Sequence, residues 1–142
     1  MQATMLNLSR VIRAPREKVF AAWTQPELLR QWWGPGPVTC PQAEVDLREG
    51  GAWRLANLQP DGSIVWISGA FQLVRAPEEL VYTWSLSEMP GEPTLVRVEF
   101  RRHAEGTELV LTHERFAIDA VRDMHLQGWG ACIDKLAAML AA

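Results

Sequence analysis

The chain has 142 residues and a net charge of −3, with 48% hydrophobic and 22% charged residues, which predicts one globular domain, 1–142, large enough to bury a core. Its longest basic run is the pair Arg101-Arg102, so we expect no nucleic acid as a partner. It has no apolar run of bilayer length and no signal-peptide core near its start, so we expect a cytoplasmic protein with no membrane partner.

The first predicted elements are a strand and two short helices. Residues 4–13 have the pattern of a strand, and Pro15 suits the first turn of a helix over residues 16–23. Thr24 and Glu27 have capping-box spacing, which predicts Thr24 as the N-cap of a second helix through residues 28–33. The run Gly34-Pro35-Gly36-Pro37 ends that helix.

After these helices the hydrophobic pattern alternates, as it does in strands. Turn residues such as Gly50-Gly51 and Pro60-Asp61-Gly62 separate the alternating runs. The pattern predicts six further strands, over residues 43–49, 52–58, 64–75, 80–86, 96–101 and 107–116. Strands joined in series by hairpin turns predict an antiparallel sheet. We expect Tyr82, Trp84 and Leu86 to share an inward face with Val96, Val98 and Phe100 on the adjacent strand.

The last predicted element is a long helix over residues 120–140, with Asp119 as its N-cap. Its apolar stripe at helical spacing consists of Val121, His125, Trp129, Cys132, Ile133, Leu136 and Leu140. Gly128 and Gly130 flank Trp129, which indicates close backbone approach or a loosened helix beside a cavity. A single helix with one such stripe can be buried by one curved sheet, so we predict an α+β helix-grip fold.

Several stretches of this pattern resemble a known family. They are residues 15–33, Glu44 to Gly51, Leu80 to Trp84, and Leu111 to Glu114 followed by His125 to Trp129 and Asp134 to Leu136. Together they resemble the bacterial homologues of the activator of heat-shock-protein ATPase, in the START/birch-pollen-allergen-like (SRPBCC) superfamily. The resemblance implies a seven-stranded antiparallel sheet that grips the C-terminal helix around a deep cavity. Eukaryotic relatives carry an additional N-terminal domain for which this chain has no room, so we do not expect heat-shock-protein activation.

Aromatic residues are the main candidates for a binding site. Seven Trp residues provide more flat surface than a small core usually needs. One interpretation is that Trp23, Trp53 and Trp84 are core residues, and the other is that the rings line a cavity. Rings from different elements should converge on the cavity wall and suit a flat apolar guest. With two histidines, the predicted ligand-binding residues are Trp32, Trp33, Trp66, Phe71, Tyr82, Trp84, Phe100, His113, His125 and Trp129.

His113 and His125 are the polar candidates. His113 shares the inward parity of Leu109 and Leu111, and His125 lies on the apolar stripe of the long helix, one turn before Trp129. They are either histidines satisfied within the core, a polar handle for a ligand oxygen, or a general acid and base. Glu114, next to His113, should face solvent. Two histidines without a third ligand make a weak metal site, so we predict no metal.

Other motifs of chemistry are missing from the sequence. Nucleophile-elbow, dinucleotide and P-loop patterns do not occur, so we predict no catalytic residue and no cofactor. Asp46 and Arg48 share one face of a strand and are expected to belong to a surface ladder of ion pairs with Arg54 or Glu44. Cys40 and Cys132 are expected to be free thiols.

The sequence leaves three functions open. The first is the binding of a small hydrophobic ligand in the cavity. The second is an enzyme (a cyclase, hydrolase or isomerase) that uses the same cavity with a histidine as acid or base. The third is a protein-interaction or co-chaperone-like module. The sequence favours the first, because inward positions offer rings and few titratable groups, and it leaves a homodimer open.

Overall fold

The computed structural model of the protein describes residues 4–141. It contains seven strands and three helices within that range. In chain order they are β1 (Thr4–Ile12), α1 (Arg16–Thr24), α2 (Pro26–Trp32), β2 (Ala43–Val45), β3 (Ala52–Leu58), β4 (Ile64–Arg75), β5 (Glu79–Leu86), β6 (Met89–His103), β7 (Gly106–Phe116) and α3 (Asp119–Ala141). The α+β class and the predicted order of elements are confirmed, although β2 is shorter than the pattern over residues 43–49 predicts.

The strands form one antiparallel sheet in the order β1-β7-β6-β5-β4-β3-β2. Each strand after β2 pairs with its neighbour in sequence, and β1 closes the order against β7. This is the helix-grip arrangement that the sequence predicts, because a curved sheet of hairpins can bury one long helix on its inner face. The predicted register of β5 and β6 is also confirmed, since Tyr82 lies opposite Val96 and Leu80 opposite Val98.

Helix α3 packs its predicted stripe into the sheet. The buried residues of the helix are His125, Trp129, Cys132, Ile133 and Leu136. On its flank, Asp134 forms an ion pair of 2.8 Å with Arg10 of β1. Among the described residues no helix, α3 included, has the length and hydropathy needed to cross a bilayer.

Like α3, the short helices α1 and α2 pack on the inner face of the sheet. Helix α1 contacts β6, and helix α2 contacts β2. They bury Val19, Phe20 and Trp23 from α1, and Leu29 and Trp32 from α2. The predicted N-cap role of Thr24 is wrong. Thr24 is the last residue of α1, and its hydroxyl donates a hydrogen bond of 2.8 Å to the carbonyl oxygen of Phe20. Pro26 in the first turn starts α2 instead, and Gln25 is its N-cap without a side-chain bond.

A bulge in β7 sets the direction of the site residues that follow. Leu6 pairs with His113 and Thr4 pairs with Phe116, so Glu114 and Arg115 together oppose one residue of β1. Arg115 has φ of 75°, in the left-handed region that side chains rarely adopt. The extra residue lets His113 and Phe116 both point inward, with ring centroids 4.4 Å apart.

We expect Arg115→Gly to raise the free energy of unfolding by up to about 1 kcal/mol. Glycine adopts a positive φ without the steric cost that other residues incur, and the Arg115 side chain is exposed. The measurement is chemical denaturation at neutral pH. Glu114→Gly is the matched control, because Glu114 precedes the bulged residue without a positive φ and should lose stability. A loss of stability in Arg115→Gly as large as in the control would contradict the assignment of strain.

Candidate functional site

The candidate binding space is a half-open cavity between α3, β4, β5 and the segment after α2, which we call the outer cavity. Its volume is about 220 Å³. Three indole rings form its walls, those of Trp33, Trp84 and Trp129. Its other lining residues are Pro35, Val38, Asn57, Gln59, Val65, Ile67, Leu86, Glu88, Met124, His125, Gly128 and Cys132.

The three indole rings reach the outer cavity from three different elements. Trp33 follows α2, Trp84 lies on the inner face of β5, and Trp129 lies in the middle of the buried stripe of α3. The centroid of Trp129 is 5.1 Å from that of Trp84 and 5.3 Å from that of Trp33. On its other side Trp129 stacks on Trp23, with centroids 5.9 Å apart and planes 12° apart. The wall of the cavity is therefore part of a continuous aromatic core.

Hydrogen bonds fix each of these rings. The indole N–H of Trp33 donates to Oδ1 of Asn57 at 2.9 Å. The N–H of Trp84 donates to Nε2 of His125 at 3.3 Å, and that of Trp129 donates to Nδ1 of His113 at 3.1 Å. Because every one of these donors has a partner, the walls present mainly ring surface to the cavity.

His113 is held as one neutral tautomer by its partners. Its Nδ1 accepts the Trp129 N–H, so the ring proton must lie on Nε2. Nε2 then donates to the hydroxyl oxygen of Thr94 at 2.7 Å, and that hydroxyl donates to the carbonyl oxygen of Trp84 at 3.3 Å. Burial lowers the pKa of His113, and the neighbouring His125 lowers it further, to about 2.

His125 is held as the opposite tautomer. Its Nε2 accepts the Trp84 N–H, so the proton lies on Nδ1 and is donated to the carbonyl oxygen of Val121 at 2.8 Å. Burial lowers the pKa of His125, while the bond to Val121 raises it by a smaller amount. Both ring nitrogens of both histidines are therefore occupied by bonds within the protein.

A second, smaller space lies between α1, α2 and the strands β2 to β5, and we call it the inner chamber. Its volume is about 30 Å³. Its lining residues are Trp23, Leu29, Trp33, Val45, Trp53, Leu55, Phe71, Tyr82 and Trp84. Trp33 and Trp84 border both spaces, with ring centroids 6.0 Å apart. The inner chamber therefore adjoins the outer cavity behind two of its walls.

A groove on the surface also adjoins the outer cavity, and we call it the surface groove. It has a volume of about 330 Å³ and includes the exposed side chains of Met89 and Ile118. It shares Trp84, Leu86 and His125 with the outer cavity. The bonded pair of Trp84 and His125 thus stands between the groove and the cavity.

The structure brings six of the predicted site residues to the outer cavity and the inner chamber. Trp33, Trp84, His125 and Trp129 line the outer cavity, and Phe71 and Tyr82 line the inner chamber with Trp33 and Trp84. Trp32, Phe100 and His113 point inward as predicted but pack in the core and line neither space.

The placement of Trp66 on the cavity wall needs correction. Trp66 alternates with Val65 and Ile67, and those two residues line the outer cavity. Its ring instead lies on the other face of the sheet, where the guanidinium carbon of Arg54 is 4.5 Å from the ring centroid. Arg54 also pairs with Glu44 at 2.6 Å, and Arg48 pairs with Asp46 at 2.9 Å, so the predicted surface ion pairs are confirmed.

Sequence reasoning missed Asn57, Trp53 and Cys132 as site residues. Asn57 follows two buried residues in β3, and nothing in the alternating pattern marks it as the acceptor for Trp33. Cys132 is a free thiol that lines the outer cavity, and burial raises its pKa to about 12. Within residues 4–141, no three His, Cys, Asp or Glu side chains are grouped so that they could hold a metal ion.

Comparison with known proteins gives a consistent result. The family model described as Activator of Hsp90 ATPase homolog 1-like protein matches residues 13–141. The AHSA1 protein from Silicibacter pomeroyi is similar in structure, with TM-score 0.87, 28% identity, and coverage of 97% of this chain and 98% of that one. A protein from Chromobacterium violaceum has TM-score 0.89 and 24% identity over 97% of this chain and 98% of that one. A protein from Nitrosomonas europaea has TM-score 0.83 and 26% identity over 96% and 94%. No curated protein matches the chain.

Proposed function

The chain belongs to the family of Activator of Hsp90 ATPase homolog 1-like proteins, and we propose that it binds a small, flat, apolar molecule in the outer cavity. The observation that carries this proposal is the set of three indole walls, Trp33, Trp84 and Trp129, around one cavity. Flat rings offer large apolar contact and favour stacked or edge-on aromatic partners.

The volume of the outer cavity limits the size of the ligand. An apolar cavity of about 150 Å³ is large enough to bind benzene, and the outer cavity is about 220 Å³. A molecule of about two fused six-membered rings therefore matches the space. A longer ligand would have to extend past Trp84 and His125 into the surface groove.

The polar groups around the cavity support binding over catalysis. The titratable side chains that line it are Glu88, His125 and Cys132. Both ring nitrogens of His125 are bonded within the protein, and the raised pKa keeps Cys132 a neutral thiol. Glu88 is exposed. A general acid and base need free groups that reach one point on a substrate, and this lining offers no such pair among the described residues.

We expect tetralin, a bicyclic hydrocarbon, to bind wild-type protein. Its affinity for the variant Gly128→Leu should be at least tenfold lower. Gly128 lines the outer cavity, and a Cβ placed on it meets only Pro35, at 4.0 Å. The rest of a leucine side chain must therefore occupy space that the ligand needs. The measurement is the dissociation constant from quenching of tryptophan fluorescence or from NMR titration.

Gly130→Leu is the matched control for this experiment. Gly130 flanks Trp129 on the other side, a Cβ on it would meet nothing within 4 Å, and it does not line the cavity. Both variants remove a glycine from helix α3, so both gain similar helix propensity. Equal affinities in the two variants, or no binding of tetralin to wild type, would reject the proposed function.

A further inference from the structure

Two residues that line the inner chamber carry hydrogen-bond donors for which the described residues offer no acceptor. The indole Nε1 of Trp53 is buried and has no partner. The hydroxyl oxygen of Tyr82 accepts the N–H of Trp23 at 3.2 Å, but its own O–H donates to no acceptor among the described residues. Both residues line the chamber, and their ring centroids are 5.2 Å apart.

The chamber has almost no acceptor for these donors. Apart from Tyr82, its lining side chains are hydrocarbon or indole. The N–H groups of Trp33 and Trp84 already donate elsewhere. Burial raises the pKa of Tyr82, so its phenol keeps its proton and remains a donor. A buried donor without a partner loses the hydrogen bonds it would make in water, so an acceptor from outside the protein is favoured here.

Water is a poor occupant of the chamber even though one molecule would fit in about 30 Å³. A water molecule that accepted from Trp53 and Tyr82 would be left with two hydrogens of its own and no good acceptor. A buried water typically makes about three hydrogen bonds. An oxygen atom without hydrogens satisfies both donors and leaves no donor of its own unpaired.

The lack of charged side chains around the chamber limits which oxygen-containing groups can bind there. A carboxylate would bring a negative charge into a space lined by no Arg or Lys side chain, which costs much free energy. An alcohol would carry an unpaired hydrogen, and an ether oxygen is flanked by carbon on both sides. A carbonyl oxygen projects from the molecule, accepts two hydrogen bonds and carries no hydrogen.

We propose that the inner chamber is the polar subsite of the ligand site, where Trp53 and Tyr82 both donate to the carbonyl oxygen of a flat ketone or related neutral carbonyl compound. This inference rests on the proposed function, because the hydrocarbon body of the ligand lies in the outer cavity. Trp33 and Trp84 border both spaces with ring centroids 6.0 Å apart, so these two rings have to separate when the carbonyl group enters the chamber. No covalent step is involved.

The experiment compares two probes of nearly equal shape, α-tetralone and tetralin, which differ by one carbonyl group. We expect wild-type protein to bind α-tetralone about tenfold more tightly, as two modest hydrogen bonds allow. Trp53→Phe and Tyr82→Phe should each reduce this preference by about threefold or more and leave the affinity for tetralin nearly unchanged. Trp66→Phe, which removes an indole on the outer face of the sheet, is the control and should keep the full preference.

A second readout does not depend on the variants. In heteronuclear NMR spectra of wild-type protein, the indole proton of Trp53 should move downfield with α-tetralone and not with tetralin, because a hydrogen bond deshields it. Equal affinities for the two probes, with an unmoved Trp53 signal, would reject the carbonyl subsite and leave the proposed function standing. If neither probe binds, both proposals fail.

Discussion

Replacing Trp129 with Ala is expected to lower the free energy of unfolding by about 3–5 kcal/mol, the range for truncation of large buried side chains. Trp129 is 3% exposed. Its ring contacts Trp23, Trp33 and Trp84, with centroids between 5.1 and 5.9 Å away. The variant also removes the N–H that Nδ1 of His113 accepts, so a buried acceptor loses its partner. Chemical denaturation at pH 7.5 measures the loss.

The matched control is Trp66→Ala, on the other face of the sheet. Trp66 loses ring area and the contact with Arg54, but solvent already reaches that face. We expect a loss of about 1 kcal/mol or less. A loss in Trp129→Ala no larger than in this control would show that Trp129 lines an open space and does not support the core.

The fold could be predicted from the sequence because the alternation of the strands and the apolar stripe of the long helix agree with each other. Alternation in β5, β6 and β7 gives one inward face, and the stripe of α3 supplies the surface that this face must cover. Tyr82 opposite Val96 and the burial of His113, Val98 and Leu111 follow from that parity alone. The strand β2 is short because the chain turns directly after it, where the backbone N–H of Arg48 donates to the carbonyl oxygen of Asp46 and that of Gly51 donates to the carbonyl oxygen of Arg48.

Parity could not place Trp66, because the run Ile64-Val65-Trp66-Ile67 is apolar on both faces. A continuous apolar run carries no period, so either face was equally consistent with it. The cation of Arg54, a neighbour on β3, covers the ring on the outer face. Charged neighbours on the adjacent strand were the signal available in the sequence, since Arg54 alternates with the inward Trp53 and Leu55.

The hydrogen-bonding roles of the two histidines could not be predicted from the sequence, for a different reason. Their inward direction follows from parity and helical spacing, but their tautomers depend on Trp84, Trp129 and Thr94, which are distant in sequence. The same applies to the cavities. Phe100 and Trp32 face inward as predicted, yet whether an inward ring borders empty space depends on how neighbouring side chains pack.

Lowering the pH from 7.5 to 5 is expected to lower the free energy of unfolding by about 2 kcal/mol through His113 alone. Burial lowers the pKa of His113 from 6.5 in the unfolded chain to about 2 in the folded protein. Below pH 6.5 the unfolded chain therefore binds a proton that the folded protein does not. The stabilisation is complete above pH 6.5 and falls by about 1.4 kcal/mol for each further pH unit. His125, whose pKa is lowered in the same direction, adds to this loss.

The measurement is a series of urea denaturation curves between pH 7.5 and 5, a range above the ordinary pKa values of carboxyl groups, about 4. His113→Gln should be less stable at pH 7.5 yet lose clearly less stability on acidification, because Gln does not titrate. His103→Gln, a histidine substitution at an exposed position at the end of β6, is the matched control. The same slope in His113→Gln as in wild type would mean that His113 is protonated in the folded protein. In that case the bond from Trp129 to Nδ1 could not exist, because a protonated ring has no acceptor to offer.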